Sequence, residues 1–522
     1  MKRTRVALGN FLALVFASAV FPLFALTVDT CERSDFTELG RKLNAQWQRF
    51  SATRELALLR QQSLQPSLTR NEWEGLLALP VPFTAQEVQQ LRWEQDQQVA
   101  LAQKTNQRNS TLDLAPLRGP LSGLTKDFCA DFPKGGMLHI HPWGTLSSEA
   151  IQRFLTTLDP LIRPSAMVSA LDHPGKNGEL YPSELNFLRY LTNRYGEAFH
   201  YEILSTRDKK KLRKLCVLPP GDHSFSRFEA VFSVLEVLLT TTPHADPTPW
   251  MYQDFFQRAQ REKVSYVELT GYVAPSEFSL TEEWATEVQR KYGIKTKILQ
   301  AFGRRNPLSW LGQEADELIA AARPPTVVGA NIVGDESLIS LLEPGQVIFL
   351  PLLRYLATTV VSTLHLSMHA GEMGDLRNVR DALILGAERI GHGTRLIEDP
   401  ISLEYARLNK VPIEVSLTSN LRLRGVKHPS EHPYLYYLRL GLPVSLSTDD
   451  EGIFETNINQ ECELAVSKTD INYSELRQLA INSLESAFSP PTEMAQSEKN
   501  LNLALAQFES RWALKLPKPA SF

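Results

Sequence analysis

The chain has 522 residues, of which 43% are hydrophobic and 22% charged, so it can bury a large core. Its 55 basic and 59 acidic residues give a net charge of −4. This balance creates no overall field that favours nucleic acid or a membrane surface, and neither is expected as a partner.

The N-terminal end has the pattern of a secretory signal peptide over residues 1–25. Lys2, Arg3 and Arg5 precede an uncharged apolar stretch that ends at Ala25. The stretch is short for a membrane span of about 20 residues, which favours cleavage after Ala25 over a retained anchor. We therefore expect a secreted or periplasmic protein without stable membrane association once the signal is removed.

Four cysteines are spread along the chain: Cys31, Cys129, Cys216 and Cys462. They show no CxxC spacing, so a thiolate zinc site is not expected. An oxidising compartment would allow one or two disulfides, in pairings that the sequence does not distinguish. Buried free thiols are an equally good interpretation.

Residues 26–125 form a predicted N-terminal helical extension and linker. The helical patterns run over 36–62 and 85–103, and a looser stretch over 108–123 contains two prolines and two glycines that are typical of a linker. The apolar helices of this extension could also pair two copies of the chain in a homodimer.

From residue 126 to 510 short apolar strands alternate with helices. The predicted strands are 136–141, 264–269, 295–302, 327–333, 363–370, 389–391, 412–417 and 443–448. This count and alternation predict an α/β fold, a (β/α)8 TIM barrel, followed by a tail at 511–522.

A long insertion is predicted after the first barrel strand, over about 150–250. It could form a lid or an interaction subdomain over the barrel mouth. Its basic run, Lys209 to Lys214, is typical of a solvated helix face, and a polyanion partner is the less favoured alternative.

Histidines and an aspartate stand at the predicted carboxyl ends of four strands. His139 and His141 alternate along one strand, so both point to the same face. His369, His392 and Asp449 each follow another apolar run. Any one of them could be an ordinary half-buried or turn residue, but catalytic residues of TIM barrels lie at these strand ends. The combination predicts a one-metal hydrolase site.

The donor set predicts a metal ligand group of His139, His141, His369 and Asp449. Such nitrogen and oxygen ligands suit one Zn²⁺ per chain, although iron or cobalt would tolerate them. A bound metal lowers the pKa of a water molecule towards neutrality. His392 could then accept or hold the proton of that water. Two further carboxylates have expected roles, Glu372 as proton donor and Asp450 as a hydrogen-bond acceptor for substrate.

These motifs resemble those of adenosine deaminases, in the metal-dependent amidohydrolase superfamily, over about residues 126–500. The resemblance also includes Tyr266-Val267-Glu268, Gly334-Asp335-Glu336, Thr418-Ser419-Asn420 and the segment 479–488. Residues 132–138 are most similar to the secreted adenosine deaminase-related growth factors. That branch shares the signal peptide, the helical extension and the insertion.

The resemblance implies hydrolytic removal of the purine 6-amino group, converting adenosine or 2'-deoxyadenosine to inosine and ammonia. Water activated by zinc adds to C6 while Glu372 protonates N1. His392 orients or deprotonates the water, and Asp449 both binds the metal and steers the nucleophile. The Gly334 backbone and Asp450 are expected to contact the purine ring.

The chain departs from this family pattern at three places. Pro142-Trp143-Gly144 replaces an aspartate that helps to hold the sugar, and Trp143 would either stack on the substrate or fill the barrel rim. Asn331 stands in place of an aspartate, and Ser416-Leu417 in place of a Cys-Pro pair. These departures support deamination better than they support adenosine as the substrate.

Two alternatives stay open. The first is the same site acting on another aminopurine or a modified nucleoside, and the second is a growth-factor-like binding protein with vestigial activity. Other zinc hydrolase classes fit poorly. Residues 327–336 contain no lysine that could bridge two metals, and the His-x-Glu and Pro-Cys-x-x-Cys motifs of cytidine deaminases are absent from the sequence.

Overall fold

The computed structural model describes residues 83–171, 182–240, 248–273, 278–304, 325–336 and 365–518. The predicted signal peptide, the predicted helix over 36–62 and Cys31 lie outside these residues. In the part of the chain that is described, no helix is both long and apolar enough to cross a membrane.

Eight parallel strands of the described chain form a nearly closed barrel. Numbered along the chain, the strands are β1 (Gly135–Ile140), β2 (Leu161–Ile162), β3 (Phe199–His200), β4 (Val264–Gly271), β5 (Lys295–Gly303), β6 (Val327–Val333), β7 (His365–Ala370), β8 (Arg389–His392), β9 (Ile413–Val415) and β10 (Val444–Leu446). The barrel order is β1-β4-β5-β6-β7-β8-β9-β10, and β2 pairs with β3 in a separate antiparallel ribbon. The predicted (β/α)8 barrel is confirmed.

Each predicted barrel strand has an observed counterpart, and the bounds differ mainly at the short strands. β9 ends at Val415, two residues before the end of the predicted strand, because Ser416 is extended and a helix begins at Leu417. Residues 363 and 364 of the predicted fifth strand lie outside the described chain. The strands are buried on both faces, as expected where helices surround a parallel sheet.

The seam between β10 and β1 closes the barrel without a regular hydrogen-bond ladder. One isolated bridge joins Ile140 to Asp449, whose backbone N–H donates to the carbonyl of His139 at 3.1 Å. The Ser447 hydroxyl accepts the N–H groups of Leu138 and His139, both at 3.0 Å. Side chains and irregular backbone therefore satisfy the groups that a strand ladder would otherwise pair.

Helices surround the barrel and fill its connections. They are α1 (Ala85–Asn109), α2 (Thr125–Asp131), α3 (Ser148–Leu158), α4 (Pro164–Leu171), α5 (Pro182–Tyr195), α6 (Thr206–Lys214), α7 (Phe225–Thr240), α8 (Thr248–Arg261), α9 (Phe278–Tyr292), α10 (Arg377–Leu385), α11 (Pro400–Leu408), α12 (Leu417–Arg422), α13 (Tyr434–Leu440), α14 (Glu451–Phe454), α15 (Ile458–Lys468), α16 (Tyr473–Glu485) and α17 (Pro491–Trp512). Local sequence explains two of the starts: Thr84 with Glu87, and Asn472 with Glu475, form capping boxes at α1 and α16.

The insertion after β1 folds into helices α3 to α7 around a hydrophobic core of its own. That core includes Phe154, Leu188 and Leu235, and it continues onto Leu423 and Phe454, which follow β9 and β10. The Arg422 guanidinium also donates to the carbonyl of Leu218 at 2.6 Å. The insertion therefore packs over the carboxyl-terminal face of the barrel, where the predicted site lies.

The segments at both ends of the barrel pack against it. In the predicted linker Leu112, Leu114 and Leu117 are buried in the barrel core, as are Trp512 and Leu516 at the predicted tail. Two short 3-10 turns, Ala115–Arg118 and Ser122–Leu124, make the linker compact.

A disulfide between Cys129 and Cys462 joins α2 to α15. These cysteines are 333 residues apart in the sequence, and α2 leads directly into β1. Cys216 is a buried free thiol. The structure thus contains one of the pairings that the sequence left open.

Candidate active site

Five side chains converge at the carboxyl ends of β1, β7, β8 and β10: His139, His141, His369, His392 and Asp449. The Nε2 atoms of His141 and His369 are 3.2 Å apart. Asp449 Oδ1 lies 3.5 Å from His139 Nε2 and 3.3 Å from His141 Nε2. The structure therefore brings together all four residues predicted as metal ligands.

The arrangement of these atoms fits a cation. Within the described chain, the buried His139 Nε2 atom has no hydrogen-bond partner. Two groups of donor atoms, each within 4.8 Å of one another, overlap at Asp449: one contains His139, His369 and His392, and the other contains His141 and Asp450. Imidazole nitrogens with one carboxylate are typical zinc donors, and an ion would satisfy the unpaired nitrogen.

A row of buried charges orients His139 from inside the barrel. Its Nδ1 lies 2.8 Å from Glu414 Oε2, and Glu414 also accepts a 2.6 Å hydrogen bond from Arg389. Arg389 donates in turn to Glu268 at 2.5 Å. Burial alone would raise the pKa of Glu414, but Arg389 and His139 lower it to about 2. Glu414 therefore remains ionised and keeps the Nε2 atom of His139 directed at the site.

Two residues fix His369. Its Nδ1 lies 3.1 Å from the Asn331 Oδ1, and Asn331 donates from its amide nitrogen to Thr270 at 3.0 Å. Because the amide nitrogen is used by Thr270, the Asn331 oxygen accepts from His369 Nδ1–H and leaves Nε2 free to bind. Burial, followed by the neighbouring His139, lowers the pKa of His369 well below its usual range.

A chain of hydrogen bonds sets the tautomer of His392. The Tyr434 backbone N–H donates to His432 Nδ1 at 3.2 Å, so the proton of a neutral His432 is on Nε2, which donates to Asn420 Oδ1 at 3.0 Å. The Asn420 amide nitrogen then donates to His392 Nδ1 at 2.9 Å. Burial lowers the pKa of His392 to about 3. A neutral His392 thus carries its proton on Nε2, which faces the site and has no partner among the described residues.

Asp449 is held in an unusual backbone conformation. Its φ is +60°, in the left-handed region that few residues other than glycine adopt. The Ser419 hydroxyl donates to Asp449 Oδ2 at 2.7 Å, which leaves Oδ1 directed at the histidines. The surrounding contacts therefore maintain a strained turn at the point where the predicted ligand is placed.

Asp450 lies against Gly144, the third residue of the Pro142–Gly144 turn after β1. A Cβ atom added to Gly144 would lie only 1.7 Å from Asp450 Oδ1. This oxygen is buried and has no hydrogen-bond partner among the described residues. Burial and the adjacent Asp449 raise the pKa of Asp450 well above its usual range. Only glycine leaves room for this carboxyl group.

Glu372 follows β7 and is buried, with Oε1 3.7 Å from His392 Nε2. Glu336 fixes this turn by accepting the N–H groups of Gly371 at 2.7 Å and Glu372 at 3.0 Å. Burial, followed by Asp449 and Glu336, raises the pKa of Glu372 well above its usual range. The Glu372 side chain is therefore a buried carboxylic acid beside the cluster.

Two predicted substrate contacts lie at the rim of this end of the barrel. Gly334 directly follows β6 and has φ +101°, a conformation that suits glycine. Trp143 is 37% exposed. Its partial exposure leaves an aromatic face available beside the site.

Comparison with known proteins gives a consistent result. The family model for adenosine deaminase matches residues 194–501, more than half of the chain. The chain belongs to the adenosine deaminase family. It is an aminohydrolase that acts on a cyclic amidine, within the amidohydrolase superfamily.

Related sequences agree with this membership, and solved structures share the fold. The adenosine deaminase of Enterococcus faecalis is 28% identical over 55% of this chain and 84% of its own length. That of Xenopus tropicalis is 25% identical over 68% of this chain and 91% of its own. An adenine deaminase from Arthrobacter aurescens has the same fold, with a TM-score of 0.52 and 22% identity over 72% of this chain and 99% of that one. A zinc-containing amidohydrolase from Burkholderia ambifaria aligns with a TM-score of 0.53 and 17% identity, over 74% and 94% of the two chains.

Several residues that build this family site carried no assigned role in the sequence. Glu414 and His432 act through other side chains, so nothing in their local sequence marks them. Ser419 and Asn420 belong to a motif that the resemblance included, but their partners, Asp449 and His392, become visible only in the structure.

Proposed function

We propose that this protein is a zinc-dependent deaminase that converts adenosine or 2'-deoxyadenosine to inosine and ammonia. The observation that carries the proposal is the close approach of His139, His141, His369 and Asp449, with the acid Glu372 and the Nε2–H of His392 beside them. Family membership supports the reaction class, and the substrate is the part that we propose.

The metal would be held by His139, His141, His369 and Asp449, with one Zn²⁺ per chain. When bound, it would supply a water molecule of lowered pKa at neutral pH. His392 also lies within reach of the donor group, but its Nδ1 accepts from Asn420, so a neutral ring presents N–H rather than a lone pair. His392 is therefore assigned to the water and not to the metal.

The protein's own groups would then direct the reaction. Water adds to C6 of the purine, and Glu372 donates its proton to N1, which makes C6 able to accept the nucleophile. His392 orients the water through Nε2–H, and Asp449 steers it. One proton of the water passes to the amino group, the C6–N bond breaks and ammonia leaves. The other proton restores the Glu372 acid, and the product is the 6-oxopurine nucleoside.

Substrate recognition would use groups on the rim and on the turn after β10. Burial raises the pKa of the Asp450 carboxyl group. Asp450 would exchange a hydrogen bond with the purine ring, and the Gly334 backbone would contact the same ring. Trp143 would stack on the substrate through its exposed face. A small-molecule purine nucleoside is thus the proposed partner.

A second substrate class is favoured by one observation, the Trp143 indole at the position that follows Pro142. An aromatic ring provides stacking but no carboxylate for sugar hydroxyls, so another aminopurine or a modified nucleoside is the alternative. The growth-factor-like alternative with vestigial activity is less well supported, because the described site retains the four proposed ligands, Glu372 and His392.

We also propose export to the periplasm or the outside of the cell. Residues 1–25 have the pattern of a signal peptide, and disulfides such as Cys129–Cys462 persist mainly in oxidising compartments. Membership of the secreted growth-factor branch and a homodimer through the N-terminal helices remain predictions.

The test is ammonia release by zinc-loaded mature protein from adenosine, 2'-deoxyadenosine, adenine, AMP and other aminopurines. We expect turnover of adenosine that is lost in Glu372→Gln and after chelation of the metal. Turnover of adenine or a modified nucleoside, but not adenosine, would replace the proposed substrate by the alternative. A zinc-loaded protein that released ammonia from none of these purines would overturn the adenosine assignment.

A further inference from the structure

An arginine on α8 joins two of the loops that carry the site, those after β1 and β10. Arg258 Nη2 donates to the carbonyl of Thr145 at 2.6 Å, in the loop after β1. Its Nη1 forms an ion pair with Glu451, the first residue of α14 after β10. Its Nε donates to Asp254 Oδ2 at 3.0 Å, one turn earlier on α8. We call Arg258, Asp254 and Glu451 the Arg258 cluster.

The cluster extends further into the loop after β1. Asp254 accepts a hydrogen bond from the Ser147 hydroxyl at 3.0 Å and another from Arg153 at 2.6 Å. Ser147 caps α3. Both ends of the segment from Thr145 to Ser147 are therefore fixed to the same helix, α8. This segment begins directly after Gly144, the residue that lies against Asp450.

On the other side the cluster brackets Asp449 and Asp450. The Thr448 hydroxyl donates to Glu451 Oε2 at 3.0 Å, so the residues before and after the aspartate pair are linked through the Glu451 carboxylate. Arg258 holds the other oxygen of the same carboxylate. Asp449 itself has φ +60°, and such a conformation persists only where surrounding contacts impose it.

The position of this cluster is important because the β10–β1 seam has little regular pairing. A single bridge, Ile140 to Asp449, joins the strands at the catalytic end. An ion pair that is largely buried and has three hydrogen-bonded arms can hold such a junction more firmly than an exposed pair. Side-chain exposures of 15% for Arg258 and 1% for Glu451 show that the cluster is mostly shielded from water.

We propose that Arg258 is a positioning residue, which acts through Glu451 to hold Asp449 in its metal-binding orientation and Asp450 against Gly144. The inference rests on the proposed function for the identity of the reaction, but the placement of Asp449 can be measured by metal binding alone. Arg258 does not touch the proposed ligands, and its role is to fix the turn that presents them.

The test compares Arg258→Met with Arg439→Met in the full-length mature protein. Arg439 is a matched control because its ion pair with Glu475 is also buried, with exposures of 8% and 0%, and joins α13 to α16. We measure the zinc dissociation constant with a competing chelator, kcat and KM for the best purine at saturating zinc, and the midpoint of thermal unfolding.

For Arg258→Met we expect zinc affinity to fall about 10- to 100-fold, as happens when residues behind metal ligands are removed. We expect kcat at saturating zinc to fall about 10-fold or more, because a 1 Å displacement of positioned groups can cost about 10²-fold. Arg439→Met should lower the unfolding midpoint while changing zinc affinity and kcat by less than about 2-fold. Equal effects of the two variants on zinc affinity would refute the proposal.

A double variant separates positioning from folding. Arg258→Met leaves the Glu451 carboxylate buried without its cation, which is destabilising by itself. Arg258→Met/Glu451→Gln removes that charge, so we expect the unfolding midpoint to recover while zinc affinity stays low. Recovery of both would show a merely structural role. Arg258→Lys, which keeps the charge but loses the fork of donors, should lie between wild type and Arg258→Met.

The zinc measurement also separates this proposal from the proposed function. If the wild-type protein releases ammonia from no purine in the panel, the adenosine assignment fails while the difference in zinc affinity still tests Arg258. If adenosine is turned over and Arg258→Met binds zinc as tightly as wild type, only the positioning role is refuted.

Discussion

Replacing Gly144 by alanine is expected to displace Asp450 and impair catalysis while most of the protein stays folded. The added Cβ would lie 1.7 Å from Asp450 Oδ1, 2.5 Å from its Cγ and 2.6 Å from its Cβ. Ordinary contacts between such atoms are about 3.5 Å or more, so the carboxyl group must recede by about 2 Å. The φ of Gly144 is not positive, and the effect is therefore one of space rather than backbone strain.

The magnitude follows from that displacement. Because misplacement by about 1 Å can cost about 10²-fold in rate, Gly144→Ala should lower kcat/KM by about 100-fold or more, equivalent to about 2.7 kcal/mol. Crowding of a packed site costs about 1–3 kcal/mol of folding stability, so most of the protein remains folded at room temperature.

The assay is steady-state ammonia release with the purine that wild type turns over best, beside zinc content and thermal unfolding. Gly123→Ala is the control, since an added Cβ there meets nothing within 4 Å. It should leave kcat/KM within about 2-fold of wild type, as expected for a surface substitution away from the site. A folded, zinc-containing Gly144→Ala variant with kcat/KM close to wild type would refute the reasoning, because Asp450 would then not depend on this space.

Three further outcomes follow from other parts of the structure. Glu414→Gln should lower zinc affinity about 10- to 100-fold by weakening the acceptor of His139 Nδ1, measured by chelator competition. The control is Glu388→Gln, which should not change zinc affinity, because Glu388 pairs with His365 at the start of β7. Burial raises the pKa of Glu461 from 4.5 to about 7. Its contribution to the free energy of unfolding is therefore fully present below about pH 4.5 and is lost as the pH rises through 7. In urea unfolding, the stability of Glu461→Gln relative to wild type should therefore increase between pH 5 and pH 8, by about 3 kcal/mol at most. A difference in stability that does not change with pH would contradict this prediction. Replacing both Cys129 and Cys462 by serine should lower the free energy of unfolding by about 2–4 kcal/mol. Cys216→Ser should lower it only by the cost of changing one small buried side chain. Equal unfolding midpoints for the double variant and wild type would show that the disulfide contributes little.

The barrel could be predicted because most of its strands are short runs rich in apolar residues and followed by polar residues. That composition is typical of a parallel sheet covered on both faces, and the strand interiors are buried as this requires. The ligands could be predicted for a related reason. His139, His369 and Asp449 each end such a run, and parallel strands bring their carboxyl ends to one face of a barrel.

The parts that could not be predicted depend on partners that are distant in the sequence. Glu414 and His139 are 275 residues apart, and Arg389 and Glu268 are 121 apart. His432 has its role only through Asn420. No local pattern of spacing or polarity indicates such pairs, because they form only when the barrel closes and the helices pack. The same holds for the Cys129–Cys462 disulfide.

The short strands were the least accurate part of the prediction, since β9 and β10 each end two residues before the predicted bound. The apolar run of β9 continues through Leu417, but the Ser416 backbone is extended and α12 begins directly afterwards. An apolar run of a few residues is compatible with either a strand or the first turn of a buried helix. The helix is required there to place Ser419 and Asn420 beside Asp449 and His392.

The seam between β10 and β1 also determines when the site can exist during synthesis. His139 and Ser447, which meet across it, are 308 residues apart, and Asp449 is made only after nearly the whole barrel. A nascent chain that ends before β10 has three of the proposed ligands but neither the carboxylate nor the strand that completes the ring. Zinc uptake should therefore be a late event that reports on completion of the fold, and a protein truncated before β10 should fail to retain the metal.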